Sequence, residues 1–260
     1  MKKKILAIVE ARMNSKRLYG KVLKKINGVE ILKIILDRLE TSKKISEVIV
    51  ATSNNREDDS IVKLLNKKKF KYFRGSEKNL IKRLIGAAEK FNADIVVRLT
   101  ADNPLIYSKS IDFMINFYKK NLKFDYITNN NFGNLKKRNL ALGLDISLFK
   151  LKKLKLVERY ARKLKNRKKY QEHPTLYFNV ISNNKFKVKN IKLPKDHIVP
   201  KKFRLTIDTK EDYAFFEKLF KSINKNHKKI VPKDVNKALI ENPELGKINK
   251  EVKQYVPKIY

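Results

Sequence analysis

An α/β fold with a mostly parallel sheet and helices on both faces is predicted by three observations. Short aliphatic runs alternate with helical segments of about ten residues through the first half of the chain. The first run, Lys4–Glu10, is almost wholly apolar, as in a parallel strand buried on both faces. With 260 residues, 42% of them hydrophobic, the chain is long enough to build one large core without disulfides.

The predicted elements follow one another in the order that a parallel sheet requires. Isoleucine and leucine recur at helical spacing in the first helix, at Ile31, Ile35 and Leu39, and Ser108 or Ser110 can cap the fourth. The predicted strands are Lys4–Glu10, Glu47–Ala51, Phe70–Phe73, Asp94–Leu99 and Phe124–Thr128. The predicted helices are Val29–Leu39, Asp58–Leu65, Asn79–Phe91 and a fourth that ends at Lys119.

The alternation changes after about residue 130 and returns near residue 200. Between these points we predict a polar loop at Asn129–Asn139, a strand at Asp145–Phe149 and a very basic helix at Leu151–Tyr170. A hairpin is predicted to follow, with strands at Phe178–Ile181 and Phe186–Ile191. A strand and two helices then follow, at Phe203–Ile207, Tyr213–Ile223 and Val231–Ile240. We therefore predict a single domain over residues 1–260 with an insertion at about 130–200.

The charge of the chain, +37 from 63 basic and 26 acidic residues, raises the question of a nucleic-acid partner. The most basic segment, Lys150–Lys169, has eleven Lys or Arg and one acid, which keeps a non-enzymatic nucleic-acid or anion-binding protein open as an alternative. However, 51 of the basic residues are Lys, and Tyr160 alone interrupts this segment with an aromatic ring. Proteins that recognise nucleic acids rely on the planar guanidinium groups of Arg and on aromatic rings that stack on bases, and the composition of this segment therefore argues against a nucleic-acid partner.

The motifs that the chain lacks exclude several classes of protein. Its seven glycines are at least eight residues apart, so neither a dinucleotide-binding glycine loop nor a P-loop is present. The absence of cysteine excludes disulfides and thiolate chemistry, and three widely separated histidines exclude a zinc-protease helix. The apolar run at the start is too short for a signal peptide and no membrane span follows, which predicts a soluble, cytoplasmic protein.

The segment that follows the first strand, ARMNSKRLYGK at 11–21, is the first candidate for chemistry. Arg12, Lys16, Arg17 and Lys21 offer cationic donors to a polyphosphate, and Gly20 lets backbone approach closely. Ligands of open α/β sheets bind outside the carboxyl ends of the strands, where this segment lies. An exposed basic loop in a basic protein is the structural alternative.

Two aspartates form the second candidate, because each follows the end of a predicted strand. Asp102 follows Asp94–Leu99, and Asp208 follows Phe203–Ile207. Two carboxylates at this edge can hold Mg²⁺, which takes one or two carboxylates together with phosphate oxygens. Each aspartate alone is equally well explained as a helix N-cap.

With these features, the sequence resembles the cytidylyltransferase family of sugar-acid activation, most of all its spore-coat polysaccharide biosynthesis protein F branch. It is also similar to acylneuraminate and 3-deoxy-manno-octulosonate cytidylyltransferases. The resemblance extends to about residue 220 and rests on the stretches 11–23, 47–59, 73–83, 93–106, 143–149, 172–178 and 204–213. It departs from the family loop at Asn14 and Tyr19, where glycine and proline are usual, and in the order of residues 174–176.

The resemblance implies the fold of nucleotide-diphospho-sugar transferases, with a Rossmann-like sheet. It implies Mg²⁺-dependent transfer of CMP from CTP to a sugar acid of the 2-keto-3-deoxy type, with release of pyrophosphate, in surface polysaccharide precursor biosynthesis. A nucleotide-sugar-dependent glycosyltransferase, or a transferase that uses another nucleotide, is the alternative on the same fold.

The resemblance also implies roles for individual residues. Arg12 and Lys21 would bind the β- and γ-phosphates of CTP, in a loop completed by Ala11, Ser15 and Arg17. Arg74 and Ser76 would contact the base or ribose with Arg83 nearby, Asp102 and Asp208 would ligate Mg²⁺, and Glu172 and His173 would lie near the sugar. The insertion would also supply the contacts of a homodimer.

Overall fold

A computed structural model describes residues 3–130, 138–178 and 185–254. Its main sheet has seven strands in the order β5-β4-β1-β6-β8-β7-β9, and a separate two-stranded hairpin pairs β2 with β3. The strands are β1 Ile5–Glu10, β2 Lys25–Ile26, β3 Val29–Glu30, β4 Glu47–Ser53, β5 Lys71–Gly75, β6 Ile95–Thr100, β7 Tyr126–Thr128, β8 Ser147–Lys150 and β9 Val188–Asn190.

The helices lie on both faces of the sheet. They are α1 Ile31–Glu40, α2 Asp59–Lys67, α3 Leu80–Lys90, α4 Ser108–Lys120, α5 Leu151–Ala161, α6 Arg167–Glu172, α7 Pro174–Leu176, α8 Lys210–Ile223 and α9 Pro232–Glu241. The alternating side chains of β1 separate the two cores: Val9 belongs to the core that α1, α2, α4, α8 and α9 cover, whereas Ile8 belongs to the core that α3, α5, α6 and α7 cover.

The predicted α/β class and the mostly parallel sheet are confirmed. β1 pairs in parallel with β4 and β6, and β4 with β5, while β8 runs antiparallel to both of its neighbours, β6 and β7. The chain winds from β1 outward to β5 and then returns to β6 on the other side of β1. In open α/β sheets ligands bind at such a reversal, which here lies at the carboxyl ends of β1 and β6.

The first predicted helix begins two residues later than expected, because its start belongs to a hairpin. Asn27 and Gly28 both have positive φ, of 49° and 79°, and join β2 to β3. An Asn-Gly pair favours this type of tight turn. The pair therefore signals a hairpin at Val29, where the helix was predicted to begin.

The single basic helix predicted over Leu151–Tyr170 is wrong, since it is divided into α5 and α6. α5 ends at Ala161, and residues 162–166 connect it to α6. All five basic residues at 162, 163, 165, 167 and 168 are exposed, and like charges one turn apart repel one another.

The strand predicted at Phe203–Ile207 is also wrong. This segment makes one isolated bridge, between Leu142 and Arg204, and stays outside the seven-stranded sheet. Its amides instead reach loop carbonyls: Leu205 N–H donates to Leu142 (2.8 Å) and Ile207 N–H donates to Asp102 (2.9 Å). The segment therefore crosses the carboxyl end of the sheet and carries Asp208 to Asp102.

Two further predictions fall partly on residues that the structure does not describe. In the predicted hairpin the second strand exists as β9, which pairs with β7, while residues 179–184 lie outside the described part. The same holds for residues 131–137 of the predicted polar loop. The single domain with an insertion at 130–200 stays a prediction. Among the described residues, no helix is both long enough and apolar enough to cross a membrane.

Gly143 makes the tight contact between the loop before β8 and the crossing segment, and its replacement tests that contact. Its φ is +94°, and a Cβ there would lie 1.8 Å from the carbonyl oxygen of Leu205. Gly28 also has positive φ, but no atom lies within 4 Å of its Cβ position. We expect Gly143→Ala to lower the free energy of unfolding by about 3 kcal/mol or more, against about 1–2 kcal/mol for Gly28→Ala. Urea unfolding measures both, and equal losses would contradict the close approach.

Candidate active site

The site forms where the carboxyl ends of three parallel strands meet. Glu10, the last residue of β1, lies opposite Ala51 of β4 and Thr100 of β6. The loops that leave these strands therefore emerge side by side. They contain the cationic segment 11–21, the acidic turn at 56–58 and the segment around Asp102.

The segment Ala11–Gly20 is folded back on itself by its own backbone. Ala11 N–H donates to the carbonyl of Ala51 (3.2 Å), and the carbonyl of Met13 accepts from Ser15 (2.8 Å) and Gly20 (2.9 Å). Gly20 has φ +64°, which glycine adopts without the strain of a Cβ. The segment is thus an ordered loop attached to the neighbouring strand.

A buried carboxylate, Asp58, fixes this loop to the end of β4. One of its oxygens accepts from the amide of Met13 (2.7 Å). The other accepts from the hydroxyl of Thr52 (2.9 Å) and from the amide (2.9 Å) and hydroxyl (2.5 Å) of Ser53. Asp58 was outside the predicted set, although it lies within one of the stretches that carry the family resemblance.

Lys21 joins the two predicted metal-binding aspartates. Its Nζ donates to Asp102 Oδ2 (2.8 Å), to Asp208 Oδ1 (2.9 Å) and to the carbonyl of Ile207 (2.7 Å). Burial alone would lower the pKa of Lys21, but attraction to the two carboxylates outweighs it and the pKa is raised. Lys21 therefore remains charged at neutral pH.

Asp208 has three cationic partners. Its Oδ1 accepts from Lys21, and its Oδ2 accepts from Arg17 (2.9 Å) and Arg204 (2.6 Å). Burial would raise the pKa of Asp208, but these cations, Lys21 first, hold it below the ordinary value. Arg204 is itself shared with Asp212, a fully buried acid one turn further on. The local charges are thus nearly balanced without any ligand.

Asp102 and Asp208 have the chemistry to hold a divalent cation. Their oxygens already reach a single point, the Nζ of Lys21, so one small cation can contact both. Among the described residues, no three His, Cys, Asp or Glu side chains form a metal-binding group, at this site or elsewhere, so the candidate is a pair of carboxylates. A pair of carboxylates fits Mg²⁺, whose remaining ligands are water and phosphate oxygens, better than an ion that requires a full protein cage.

His173 lies near Arg12 and near Arg98, which forms a buried ion pair with Glu10. Burial, with the nearby charges of Arg98, Lys169 and Arg12, lowers the pKa of His173 from 6.5 to about 4. The imidazole is therefore neutral at neutral pH and can offer one donor and one acceptor. Glu172, beside it in the sequence, is exposed at the end of α6.

The remaining predicted residues occupy different positions. Arg12 is exposed, whereas Arg74 is held by the carbonyls of Ser53 and Asn55 and by Asp59. The Ser76 hydroxyl accepts from the amide of Asn79.

Arg83 lies beneath this turn and is buried. It donates to the carbonyl of Ser76 (2.8 Å). Burial lowers its pKa, and the charge of Arg12 is close enough to lower it further. Arg83 thus lies between this turn and the loop that contains Arg12.

Several acceptors and partners at the site were missed by sequence reasoning. They are Asp58, Arg98 with Glu10, Arg204 and Asp212. Their partners are distant in sequence or are backbone amides, so no spacing pattern marks them. Asp212 had one available signal, the T-x-x-D order with Thr209, which forms a capping box at the start of α8.

The sheet order and the cation-lined edge are those of an α/β nucleotide-binding enzyme. A family model described as cytidylyltransferase matches residues 6–242. An uncharacterized protein of Methanocaldococcus jannaschii is 37% identical over 256 residues, 96% of each chain. The spore coat polysaccharide biosynthesis protein SpsF of Bacillus subtilis is 33% identical, covering 83% of this chain and 86% of SpsF.

A solved structure of a cytidylyltransferase from Leptospira borgpetersenii superimposes with a TM-score of 0.84, at 31% identity, over 98% of this chain and 100% of that one. A shorter match, 32% identical over 109 residues or 42% of each chain, is to a 3-deoxy-manno-octulosonate cytidylyltransferase of Geobacter metallireducens. This chain belongs to the cytidylyltransferase family. It is a nucleotidyltransferase, and the predicted resemblance is confirmed.

Asp58→Asn tests whether this carboxylate holds the loop. An amide has one acceptor oxygen for four donors and presents an NH₂ to some of them, so the Met13 or the Ser53 contacts are lost. We expect a loss of about 2 kcal/mol or more in unfolding free energy. We also expect faster tryptic cleavage after Arg17, located by mass spectrometry. Glu57→Gln, an exposed neighbour, is the control, and equal cleavage in both variants would contradict the anchoring role.

His173→Gln tests the neutral imidazole through the pH dependence of stability. Because the folded pKa of His173 is about 4 and its ordinary value is 6.5, the unfolded chain binds a proton that the folded chain does not. Stability is therefore lost as pH falls from about 6.5 to 4, by up to about 3 kcal/mol. We expect the variant to lose less stability over this range than wild type. Lys168→Gln is the exposed control, and parallel curves for wild type and His173→Gln would refute the assignment.

Proposed function

We propose that this protein transfers CMP from CTP to the hydroxyl of a 2-keto-3-deoxy sugar acid, for a surface polysaccharide precursor. The hydroxyl oxygen bonds to the α-phosphorus, the bond from that phosphorus to the bridging oxygen breaks, and pyrophosphate leaves. The hydroxyl proton is released to solvent. The observation that carries the proposal is the meeting of Lys21, Asp102 and Asp208 at the edge of the sheet.

Positioning and charge neutralisation supply most of the catalysis in such a transfer. In the proposal, Arg12 and Lys21 bind the β- and γ-phosphates, and Ser15 and Arg17 complete the loop that begins at Ala11. Support comes from the loop's fixed backbone and from the position of Lys21 beside both carboxylates. Phosphate oxygens would replace the carboxylates as partners of Lys21 and Arg17, which offsets the charge of the departing pyrophosphate.

Asp102 and Asp208, released from these cations, would hold Mg²⁺. The ion would supply charge neutralisation at the phosphates and polarise the reacting phosphoryl group. The chain's own part is to keep the two carboxylates at one point. Thr100 supports this, because its hydroxyl donates to Asp102 Oδ1 (2.6 Å) and leaves Oδ2 directed at Lys21.

Recognition of the two substrates is assigned to the flanking regions. Arg74, Ser76 and Arg83 would contact the base or ribose of CTP. His173, neutral and close to Arg12 and Arg98, would face the sugar with Glu172 nearby. The insertion at 130–200 would also form a homodimer contact, and the reaction would take place in the cytoplasm. The sequence relationship to SpsF and to a 3-deoxy-manno-octulosonate cytidylyltransferase supports the sugar-acid class.

Base-selective stabilisation followed by product release tests the proposal. Unfolding is measured with CTP, UTP, ATP and GTP, with and without Mg²⁺, at moderate salt. A protein of charge +37 attracts every triphosphate, so the difference between bases is the informative result. We expect a selective gain with CTP of about 2.7 kcal/mol at a hundred times its dissociation constant.

Pyrophosphate release is then measured with CTP and a panel of 2-keto-3-deoxy sugar acids. We expect release with at least one of them, and a loss of about 100-fold or more in Asp102→Asn with the fold intact. Asp196→Asn, an exposed acid outside the site, is the matched control. Equal stabilisation by all four nucleotides, or full activity of Asp102→Asn, would overturn the assignment.

A further inference from the structure

The chain continues beyond the family match and packs against the site. The match ends at residue 242, and the structure describes the chain to residue 254. Residues 243–254, which we call the carboxyl-terminal segment, lie close to the segment that carries Arg204. Leu245 and Asn249 are buried, and a Cβ at Gly246 would lie 3.0 Å from the ring of Phe203.

Arg204 connects this segment to Asp208 by using each of its three guanidinium nitrogens. Nε donates to Asp212 Oδ1 (2.8 Å), and Nη2 donates to Asp208 Oδ2 (2.6 Å). Nη1 donates to the side-chain oxygen of Gln254. The backbone carbonyl of Arg204 accepts from Asn249 Nδ2 (3.1 Å). The carboxyl-terminal segment therefore holds both the side chain and the backbone of Arg204.

Asn249 reaches the same carboxylate from a second direction. Its Nδ2 also donates to Asp212 Oδ1 (2.9 Å), while Asp212 Oδ2 accepts from the amides of Asp208 (2.9 Å) and Thr209 (3.1 Å). Asp212 thus fixes the backbone of Asp208, and Arg204 fixes its side chain. Asp212 and Arg204 are in turn both hydrogen-bonded to side chains of the carboxyl-terminal segment.

We propose that Gln254 and Asn249 are positioning residues that orient the Asp208 carboxylate for a divalent cation, acting through Arg204 and Asp212. This inference rests on the proposed function. When Lys21 and Arg17 turn to the phosphates, Arg204 is the cation that stays on Asp208 Oδ2. A guanidinium held at all three nitrogens presents Nη2 in a fixed direction, which an arginine held at one end does not.

The test compares two substitutions at Gln254 with a control in the same segment. Gln254→Leu removes the acceptor for Arg204 at similar size, and Gln254→Glu keeps an acceptor oxygen. Glu251→Gln alters an exposed residue nearby. Asn249→Ala removes the other contact independently. Mn²⁺ binding in the presence of CTP is measured by isothermal titration calorimetry, together with kcat, the KM for CTP and the melting temperature.

We expect Gln254→Leu and Asn249→Ala to weaken Mn²⁺ binding about tenfold or more and to lower kcat, since the partners of metal ligands commonly contribute this much. The KM for CTP at saturating metal should change less than about twofold, because the loop Ala11–Gly20 and Lys21 are untouched. Gln254→Glu and Glu251→Gln should bind Mn²⁺ as wild type does.

Three results would overturn the inference. They are wild-type Mn²⁺ affinity in Gln254→Leu, equal losses in Gln254→Leu and Gln254→Glu, and a lower melting temperature without any change in Mn²⁺ binding. Failure of the proposed function gives a different result. A wild-type protein that binds Mn²⁺ with CTP but releases no pyrophosphate contradicts the reaction, and the Mn²⁺ comparison still decides the role of Gln254.

Discussion

The buried ammonium group of Lys21 is the interaction on which the arrangement of the site depends. It joins the loop after β1 to Asp102 after β6 and to Ile207 and Asp208, which lie 186 and 187 residues further along the chain. An unpaired buried charge is costly, and these three contacts compensate for the burial of Lys21. Segments that are distant in sequence are thereby brought to one point, at the carboxyl edge of the sheet.

The other loops at this edge are held by the same means, a carboxylate that accepts hydrogen bonds from a neighbouring segment. Glu10 binds Arg98 across two strands, Asp58 binds the amide of Met13, and Asp212 binds Arg204. In a chain with 63 basic and 26 acidic residues, these acids stand out by being buried or nearly so. The excess of lysine is mostly a surface property, whereas the scarce acids organise the site.

The sequence was sufficient for the parts of the structure that local patterns determine. The central strands β1, β4 and β6 were recognisable from their aliphatic runs. Lys21 and Asp102 were singled out because they follow predicted strands that do form, whereas Asp208 was singled out because it follows a predicted strand that does not. The crossing segment at Phe203–Ile207 has the composition of a strand, but its partners are loop carbonyls of Leu142 and Asp102, which no local pattern encodes. Asp58 could not be predicted, because it accepts hydrogen bonds from backbone amides and hydroxyl groups, and no sequence pattern marks such partners.

The displacement of this crossing segment from the sheet explains how Asp208 reaches Lys21. In a strand inside the sheet, the amides and carbonyls would be hydrogen-bonded to the neighbouring strands, whereas here the carbonyl of Ile207 accepts from Lys21. Freedom from the ladder has a structural cost, since the segment needs other support. Gly143, Asn249 and Asp212 provide it through close backbone contact and hydrogen bonds. Because these residues come from before and after the segment, the position of Asp208 depends on contacts from both sides of it in the sequence.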